Sequence, residues 1–596
     1  MKRLLLFLIP TLIQAQEPIV VEEQEVQSVK IQTENIENSL REIPGLQVFR
    51  DPHRGGLQLS LRGSRVDHVN VYLDDYLLGQ NSGQALDLAT LPVDSIEEVL
   101  IYKDSVPLQY LSAPGGVIVF KTKKDLKLLK VTAGSFETYR VHLTTSAKIN
   151  SNWSYRINLD GEMTENNYPY LDNNGTPLNS SDDFNAKREN AARSHYSIAP
   201  QLKYQKGEDQ IEWKGLWWDH KQELPALSQS SMSEAYFWQK HRNQEIKWSR
   251  QLDDHSFQFW LSRQELEQSF VDPLASLGNT PLEQVSQLVS YPIYGLYSKS
   301  FSDFVYSVKV YGQRDDVTQT ELGQRDQMNR TQWHFSNELG YERDQWSLSL
   351  QLTQKQYRDR GLVENDASGA EGAFSVTRKW GLLRLNLQVQ SLLRFPQIWQ
   401  VQGQNGFQQS NPDLRPERSE NLSLNLSYHQ SELSFFQKRL KDAIVFNFNS
   451  LGVGVAQNLE EVQIRGVELA QSWQLGQWQQ KISYSYQIAE NQTAGPLQNK
   501  RMPNLFERQL NILTQFHLAD EWVIGHRYLY SAHMFFDDAN LLPADDLQVH
   551  TIELSYVRTQ HRLQLSLENL LDRPYQSFNG LPGPGRIWYF SYQWLF

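Results

Sequence analysis

Residues 586–596, which read RIWYFSYQWLF, give the first indication of the fold. Aromatic side chains occupy every second position of this stretch: Trp588, Phe590, Tyr592, Trp594 and Phe596. An extended strand alternates its side chains between two faces, so all of these rings would lie on one face. On a soluble protein that face would be an exposed apolar patch that promotes aggregation. A barrel of the outer-membrane type needs such a face, because aromatic residues flank its lipid-facing band.

The same alternation runs through the chain from about residue 126 onward. Clear examples are residues 153–159, 333–341, 346–352 and 383–389. Apolar residues at alternate positions, with Ser, Asn, Gln, Arg or Lys between them, predict strands with one apolar and one wet face. A soluble sandwich or propeller could show this alternation as well, but the aromatic face favours an all-β transmembrane barrel.

Composition restricts the possible functions. The chain has 596 residues, 57 basic and 69 acidic side chains, a formal charge of −12 and no cysteine. The acidic balance disfavours nucleic acid as a partner. The lack of cysteine excludes disulfides, thiolate metal sites and cysteine nucleophiles. No G-x-S-x-G or H-E-x-x-H motif occurs, so we predict no catalytic site, no metal site and no cofactor.

The N-terminus has the pattern of a secretory signal peptide. A basic start at residues 1–3 precedes the apolar run 4–13, and Gln14-Ala15-Gln16 follows. This pattern predicts a signal peptide at residues 1–15, cleaved after Ala15. The alternative is a buried N-terminal helix. The run is only about half the length that a membrane-spanning helix needs, so we expect the mature chain outside the cytoplasm without a membrane helix.

A different kind of segment precedes the barrel. Residues 34–124 predict a small α+β domain with a helix near residues 35–41. Its predicted strands are residues 57–62, 69–73, 96–102 and 117–121. We therefore divide the mature chain into a periplasmic segment, residues 16–33, this domain, and a barrel at residues 125–596.

Ordered motifs in this domain resemble the plug of TonB-dependent outer-membrane receptors. They are IPGLQV at residues 43–48, LSLRGS at 59–64, LPVDSIE at 91–97 and GGVIV at 115–119. Motifs of the barrel resemble the same family: GSFETYR at 134–140, NPDLRPE at 411–417, GVE at 466–468, ENLLDRPY at 568–575 and PGR at 584–586. Two glycines of the usual plug pattern are replaced, at Asp74-Asp75-Tyr76 and Lys103-Asp104-Ser105, so the local plug turns should differ from the common form.

The resemblance implies a barrel of 22 antiparallel strands with the α+β plug inside it. The roughly 470 residues after the plug leave about 21 for each strand and its connection, which is sufficient. It also implies a bacterial outer-membrane receptor that binds a scarce solute, a siderophore-like metal chelate or a cobalamin, and imports it with energy coupled through TonB. A passive pore or surface adhesin on the same barrel, or a barrel hydrolase, are the alternatives. The implied partners are TonB, the small-molecule solute, outer-membrane lipid and the barrel assembly machinery, for a monomeric protein.

The segment just after the predicted cleavage site resembles the TonB box. It comprises Glu17, Pro18, Ile19, Val20 and Val21. The family uses this box as an extended strand added to an edge of TonB, and β-branched residues favour extension.

Further site residues follow from the resemblance. Basic plug residues pair with barrel glutamates in the family, and the matching positions here are Arg62, Lys103, Glu417 and Glu468. The outward-facing plug loops correspond to residues 50–54 and 80–83. Within these loops the expected substrate-binding residues are His53, Arg54, Gln80 and Asn81. Asp172, Asp182 and Asp183 lack the spacing of a calcium loop, so no calcium site is predicted.

Overall fold

The computed structural model describes most of the chain. The described residues are 27–30, 36–50, 57–78, 88, 91, 95–123, 127–172, 174, 176, 179–226, 232–277, 281–321, 324–361, 363–403, 408–448 and 454–596. Several of the sequence-based predictions fall outside these residues: the signal peptide at 1–15, the TonB box at 17–21, and His53, Arg54, Gln80 and Asn81.

The described residues before the barrel form seven short strands and one short helix, and the first strand lies in the segment 16–33 that precedes the predicted plug. The strands are β1 (Gln27–Lys30), β2 (Leu46–Arg50), β3 (Leu57–Leu61), β4 (Val69–Leu73), β5 (Tyr76–Leu78), β6 (Ile96–Tyr102) and β7 (Gly116–Thr122), and the helix is α1 (Ile36–Leu40). A five-stranded sheet has the order β1-β6-β7-β4-β5, with β4 parallel to β7, and β2 and β3 form a separate hairpin. A 3-10 turn, Val66–His68, connects β3 to β4.

A closed barrel of 22 antiparallel strands follows the plug, and its last strand pairs with its first to close it. Its strands are β8 (Leu128–Gly134), β9 (Thr138–Lys148), β10 (Trp153–Thr164), β13 (Arg193–Lys206), β14 (Asp209–Glu223), β15 (Tyr236–Gln251), β16 (His255–Asp272), β17 (Leu282–Phe301), β18 (Phe304–Glu321), β19 (Gln324–Arg343), β20 (Trp346–Gly361), β21 (Asn365–Trp380), β22 (Leu383–Arg394), β24 (Glu417–Tyr428), β25 (Ser431–Phe448), β26 (Gly454–Leu475), β27 (Trp478–Asn491), β28 (Arg508–Ala519), β29 (Trp522–Ala532), β30 (Leu547–Arg558), β31 (His561–Glu568) and β34 (Ile587–Leu595). Full closure leaves no unpaired strand edge in the wall.

The connections carry the remaining elements. They are the strands β11 (Pro169–Asp172), β12 (Phe184–Lys187), β23 (Gln408–Gln409), β32 (Gln576–Phe578) and β33 (Leu581–Pro582), the 3-10 turn Ser180–Asp182 and the helix α2 (Ile398–Gln402). In the described part of the chain, no helix is long and apolar enough to cross a membrane.

The wall shows the alternation that the sequence predicts. In β20, Trp346 and Leu350 are exposed on the outer face, whereas Ser347 and Ser349 are buried on the inner face. An apolar outer face and a polar inner face are what a barrel in a lipid bilayer requires.

The two ends of the barrel differ. At one end short turns, mostly of two residues, join the strands. Ser302, Asp344 and His429, each at the first position of a two-residue turn, have φ of 56°, 54° and 56°. A positive φ at that position is typical of the type I′ and II′ hairpin turns. The opposite end carries long connections, including residues 165–192, 395–416 and 569–586. Short turns face the periplasm in barrels of this kind, so the long connections face outward.

The plug core is continuous with one part of the wall. Leu40, Leu61, Ile101 and Phe120 lie in one buried apolar cluster of the plug. The cluster also includes Leu216 and Trp218, which project inward from β14. The plug therefore lies inside the barrel and packs against β14.

Candidate functional site

Four buried charged side chains join the plug to the wall. Arg62 Nη1 donates to Asp104 Oδ2 at 2.6 Å, and its Nε and Nη2 donate to the two carboxylate oxygens of Glu468 at 3.1 and 3.0 Å. Lys103 Nζ donates to Glu468 Oε2 at 2.9 Å and to the Pro44 carbonyl at 2.7 Å. We call Arg62, Lys103, Asp104 and Glu468 the charge quartet. It contains two cations and two carboxylates, so its net charge is zero.

Local backbone geometry positions the quartet. The chain turns sharply after β3, where Arg62 and Gly63 have φ of 52° and 66°. Gly45, with φ 78°, lies directly against the carboxylate of Glu468. A Cβ at position 45 would lie 1.9 Å from Glu468 Oε1, so only glycine fits. The glycine of the IPGLQV motif thus makes room for the barrel glutamate.

The plug members of the quartet depend on their partners. Burial alone would lower the pKa of Arg62, but the carboxylates of Asp104 and Glu468 raise it above its usual value. Burial lowers the pKa of Lys103, although Glu468 opposes this shift. Removing one member of such a buried network leaves an uncompensated charge and typically costs about 3–5 kcal/mol.

A third basic residue lies beside the quartet. Lys438 of β25 donates to the Pro114 carbonyl at 3.0 Å and to Ser64 Oγ at 3.2 Å. The Arg62 guanidinium lies 4.6 Å from the ring centroid of Phe436, two residues before Lys438 on the same inward face. Sequence reasoning missed Lys438 and Asp104. Asp104 could have been suspected because it directly follows Lys103, whereas the inward position of Lys438 depends on the register of β25.

The structure places Glu417 away from the quartet. Glu417 begins β24, and its Oε1 lies 3.0 Å from His68 Nε2. Its Oε2 accepts the Ile444 backbone N–H at 2.9 Å. Of the four positions carried over from the family, Arg62, Lys103 and Glu468 are therefore together, while Glu417 contacts His68 instead.

An outer connection contacts the plug through Asp67. Asp67 Oδ2 accepts from Arg394 Nη2 at 2.5 Å and from Gln400 Nε2 of α2 at 2.8 Å. Burial by itself would raise the pKa of Asp67, but Arg394 and Arg65 outweigh it and hold the pKa below its usual value. One carboxylate thus bonds the plug to both the wall and the outer connection that carries α2.

The turn after β4 bonds to the wall at another point. Asp75 Oδ2 accepts from Lys247 Nζ of β15 at 2.7 Å. Asp74, with φ 55°, takes the left-handed conformation and accepts both the backbone N–H and the hydroxyl of Thr122. Aspartate tolerates this conformation better than most residues, which accounts for the turn without a glycine.

The helix α1 and the two residues after it, Arg41 and Glu42, contact β28, β29 and β31 of the wall. Asn38 Nδ2 donates to Glu568 Oε1 at 2.7 Å, and Glu42 accepts from Arg527 Nη2 at 2.8 Å. Asn511 of β28 donates to the Arg41 carbonyl at 3.0 Å. Glu568 opens the ENLLDRPY motif, so that motif also takes part in holding the plug.

Among the described residues, no group of three or more His, Asp or Glu side chains is placed to hold a metal ion. Asp182 instead accepts hydrogen bonds from Thr176 and Asn174.

A closed barrel with an apolar outer face and a folded domain in its lumen defines the class: this is a plugged barrel of the bacterial outer membrane. Family models identify it further. A model described as "TonB dependent receptor-like, beta-barrel" matches residues 131–570, and one described as "TonB-dependent Receptor Plug Domain" matches residues 13–117. The chain belongs to the TonB-dependent receptor family.

Relatives of the chain include vitamin B12 transporters of two species. The chain is 21% identical over 592 residues to the vitamin B12 transporter BtuB of Photobacterium profundum, a match that covers 93% of this chain and 88% of the relative. The match to the vitamin B12 transporter BtuB of Vibrio cholerae serotype O1 is 23% identical over 269 residues and covers 43% and 41% of the two chains.

Solved structures share the fold. The copper transporter OprC matches with a TM-score of 0.82 at 14% identity, over 97% of this chain and 100% of that chain. The siderophore receptor PirA from Acinetobacter baumannii matches with a TM-score of 0.80 at 14% identity, over 96% and 98% of the two chains. At these identities the likeness shows the fold alone.

Proposed function

We propose that the protein is an energised uptake receptor, which binds a scarce solute at the outer end of the plug and imports it into the periplasm with energy coupled through TonB. One observation carries the proposal: a folded domain lies in the barrel lumen and is bonded to the wall by buried charges. A passive pore or an adhesin has no need of such a domain, whereas a receptor must hold its lumen closed until a solute is captured.

The chemistry of the plug contacts suits a plug that moves. Charged groups that separate from one another can be hydrated by water entering the lumen, which offsets part of the lost Coulomb energy. The quartet and the Asp67 contacts are of this kind. Apolar packing lacks this compensation, because separating it exposes apolar surface to water.

The solute class we propose is a metal chelate such as a siderophore, or a cobalamin. The match to a vitamin B12 transporter along 93% of the chain supports cobalamin, and the fold shared with a siderophore receptor supports the chelate. His53, Arg54, Gln80 and Asn81 remain the proposed contact residues. The same proposal assigns Glu17, Pro18, Ile19, Val20 and Val21 to TonB.

We also propose a monomer surrounded by outer-membrane lipid and folded by the barrel assembly machinery. Exposed apolar side chains on many wall strands, for example Leu159, Phe259 and Leu350, support the contact with lipid. The outward aromatic residues Trp588 and Phe590 of β34 support recognition by the assembly machinery.

The test is uptake after deletion of the gene. Cells that lack the protein should lose accumulation of one labelled solute among cyanocobalamin and a panel of ferric siderophores, and a plasmid copy should restore it. Abolishing the proton gradient should stop accumulation in complemented cells. Accumulation of the solute that persists without the gradient favours the passive pore, and unchanged accumulation of every solute favours the adhesin.

A further inference from the structure

A cavity of about 250 Å³ separates α1 from the barrel wall. On the plug side it is lined by residues of and next to α1, including Asn38 and Arg41. On the wall side it is lined by residues of β9, β10, β13, β14, β29, β30, β31 and β34, and it reaches the outer connections 165–192 and 569–586. The quartet and the Asp67 contacts lie outside this space.

Next to connection 165–192 two arginines of the cavity share one carboxylate, while Asp160, which is paired with His142, and Glu223 also line the cavity. Glu162, near the end of β10, receives two guanidinium groups: Arg140 Nε lies 2.7 Å from its Oε2, and Arg193 Nη2 bonds to its Oε1. One carboxylate neutralises only one of two arginines, so this trio carries a net positive charge. All three residues line the cavity.

Arg188 adds another cation at the same end. It belongs to connection 165–192, lines the cavity and is only 4% exposed. Its guanidinium lies 5.6 Å from the ring centroid of Tyr170. Its Nη2 atom is buried and has no hydrogen-bond acceptor among the residues that the structure describes. Buried guanidinium N–H groups are normally satisfied, because leaving one without an acceptor is costly.

The side of the cavity next to α1 carries charges of both signs. Glu568 accepts a hydrogen bond from Asn38 at 2.7 Å, and Glu37 is bonded to Arg41. Arg41 and Arg527 also line the cavity, but they are already bonded to Glu37 and Glu42. An anionic group is therefore attracted towards Arg188 and Arg193.

We propose that this cavity binds an anionic group, a carboxylate or phosphate, of the transported solute, with Arg188 as the principal donor and Arg193 as the second. Guanidinium groups match carboxylate and phosphate oxygens with paired hydrogen bonds. The volume lies just below the roughly 300–1,000 Å³ of typical small-molecule pockets, so the cavity suits a small anion or one anionic arm of a larger solute. The inference names a ligand class for the proposed receptor and rests on that function.

The experiment uses purified full-length protein in detergent and two probes, citrate for the carboxylate and inorganic phosphate. Binding is measured by equilibrium dialysis of the labelled anion at physiological salt. Wild-type protein should bind at least one probe saturably at millimolar or lower concentration. Arg188→Gln should weaken binding by about tenfold, since losing a charge-assisted hydrogen bond has an effect of that size.

A gain of affinity provides a second, independent arm. Glu162→Gln removes the carboxylate that neutralises Arg140 or Arg193 while keeping the side-chain shape, and it should tighten anion binding several-fold. The matched control is Arg263→Gln, because Arg263 lies on the outer face of β16 with its side chain 51% exposed. This control should bind the anion as wild type does.

The proposal fails if wild-type protein binds neither anion, or if Arg188→Gln and Arg263→Gln bind equally well. Folding of each variant is checked by its migration in unheated SDS. The Glu162→Gln variant adds a safeguard, because a misfolded protein would not bind the anion more tightly. Binding needs no TonB, so a protein that binds anions without accumulating solute overturns the uptake role and leaves this site standing. A protein that accumulates solute but binds neither anion overturns this site and leaves the uptake role standing.

Discussion

Arg62 of the plug donates two hydrogen bonds to the carboxylate of Glu468 in the barrel wall, although 406 positions separate the two residues in the chain. Lys103 donates to the same carboxylate. One wall residue thus receives both basic side chains of the plug, so the plug is expected to respond strongly to a change at this single position.

Glu468→Ala and Arg62→Ala should each loosen the plug, by about 3–5 kcal/mol, because each leaves buried charges without partners. The double variant should cost about 0.5–3 kcal/mol less than the sum, because both changes affect one network. The measurement is the free energy of opening from amide exchange in β3, β4 and β6. Arg415→Ala with Asp442→Ala, an exposed ion pair on the outer side, is the control and should leave these amides unchanged. If the effects of Arg62→Ala and Glu468→Ala add strictly, the two residues do not act together to hold the plug.

Gly45→Ala should displace Glu468 from the quartet. The new methyl group would overlap Glu468 Oε1, and alanine is strained at φ 78°, so we expect a loss of about 1–3 kcal/mol or more in plug stability. The readout is entry of a large antibiotic that the outer membrane normally excludes. Gly207→Ala is the matched control, since Gly207 has φ 59° but nothing within 4 Å of its would-be Cβ. Equal entry with both variants would mean that strain, and not the clash with Glu468, is responsible.

Val20→Pro should abolish uptake while leaving solute binding at the cell surface intact. Proline removes the backbone N–H that an added strand would use to pair with TonB. Gln24→Pro, outside the proposed box, is the control and should retain uptake. The box assignment is wrong if cells take up solute normally both with Val20→Pro and after deletion of residues 17–22.

The link between Asp67 and α2 should withstand mild acid. Arg394 and Arg65 hold the pKa of Asp67 below its usual value, so the stability it contributes is fully present above the ordinary aspartate pKa of about 4. That stability is lost only as the pH falls through the lowered pKa. Limited proteolysis of the connection 395–416 with an acid-active protease should therefore be the same at pH 6 and pH 5 in wild type, and faster at both values in Asp67→Asn. An increase in cleavage of wild type between these two values would show that another group controls the contact.

Unheated protein in SDS should migrate faster than boiled protein. The wall has no free edge from which unfolding can start, so the barrel should resist SDS until it is heated. Identical migration of the two samples would contradict the closed barrel.

Local patterns were sufficient for most of the fold. The predicted plug strands 57–62, 69–73, 96–102 and 117–121 agree within one residue with β3, β4, β6 and β7, because alternation and motifs define them locally. The barrel was predictable for the same reason. The contact of Glu417 with His68 could not be predicted from the sequence. Glu417 lies at the outer end of β24, whereas Glu468 lies within β26. Which wall side chains meet the plug depends on strand register and barrel tilt, which no local pattern encodes. The contacts that Lys438 and Gln400 make with the plug could not be predicted for the same reason.

The packing of the plug core against β14 has a mechanical consequence. Leu216 and Trp218 of β14, together with Trp260, Tyr294 and Tyr311 of the neighbouring β16 to β18, offer the plug apolar contact. Glu468, Glu417 and Arg394 bind it from strands on the other side of the ring. Charged contacts can be exchanged for water, but apolar contacts cannot without loss. The β14 side adds this apolar packing to its own charged contact, Asp75 with Lys247 of β15. We therefore expect a force on the plug to separate the contacts of Glu468, Glu417 and Arg394 before those on the β14 side.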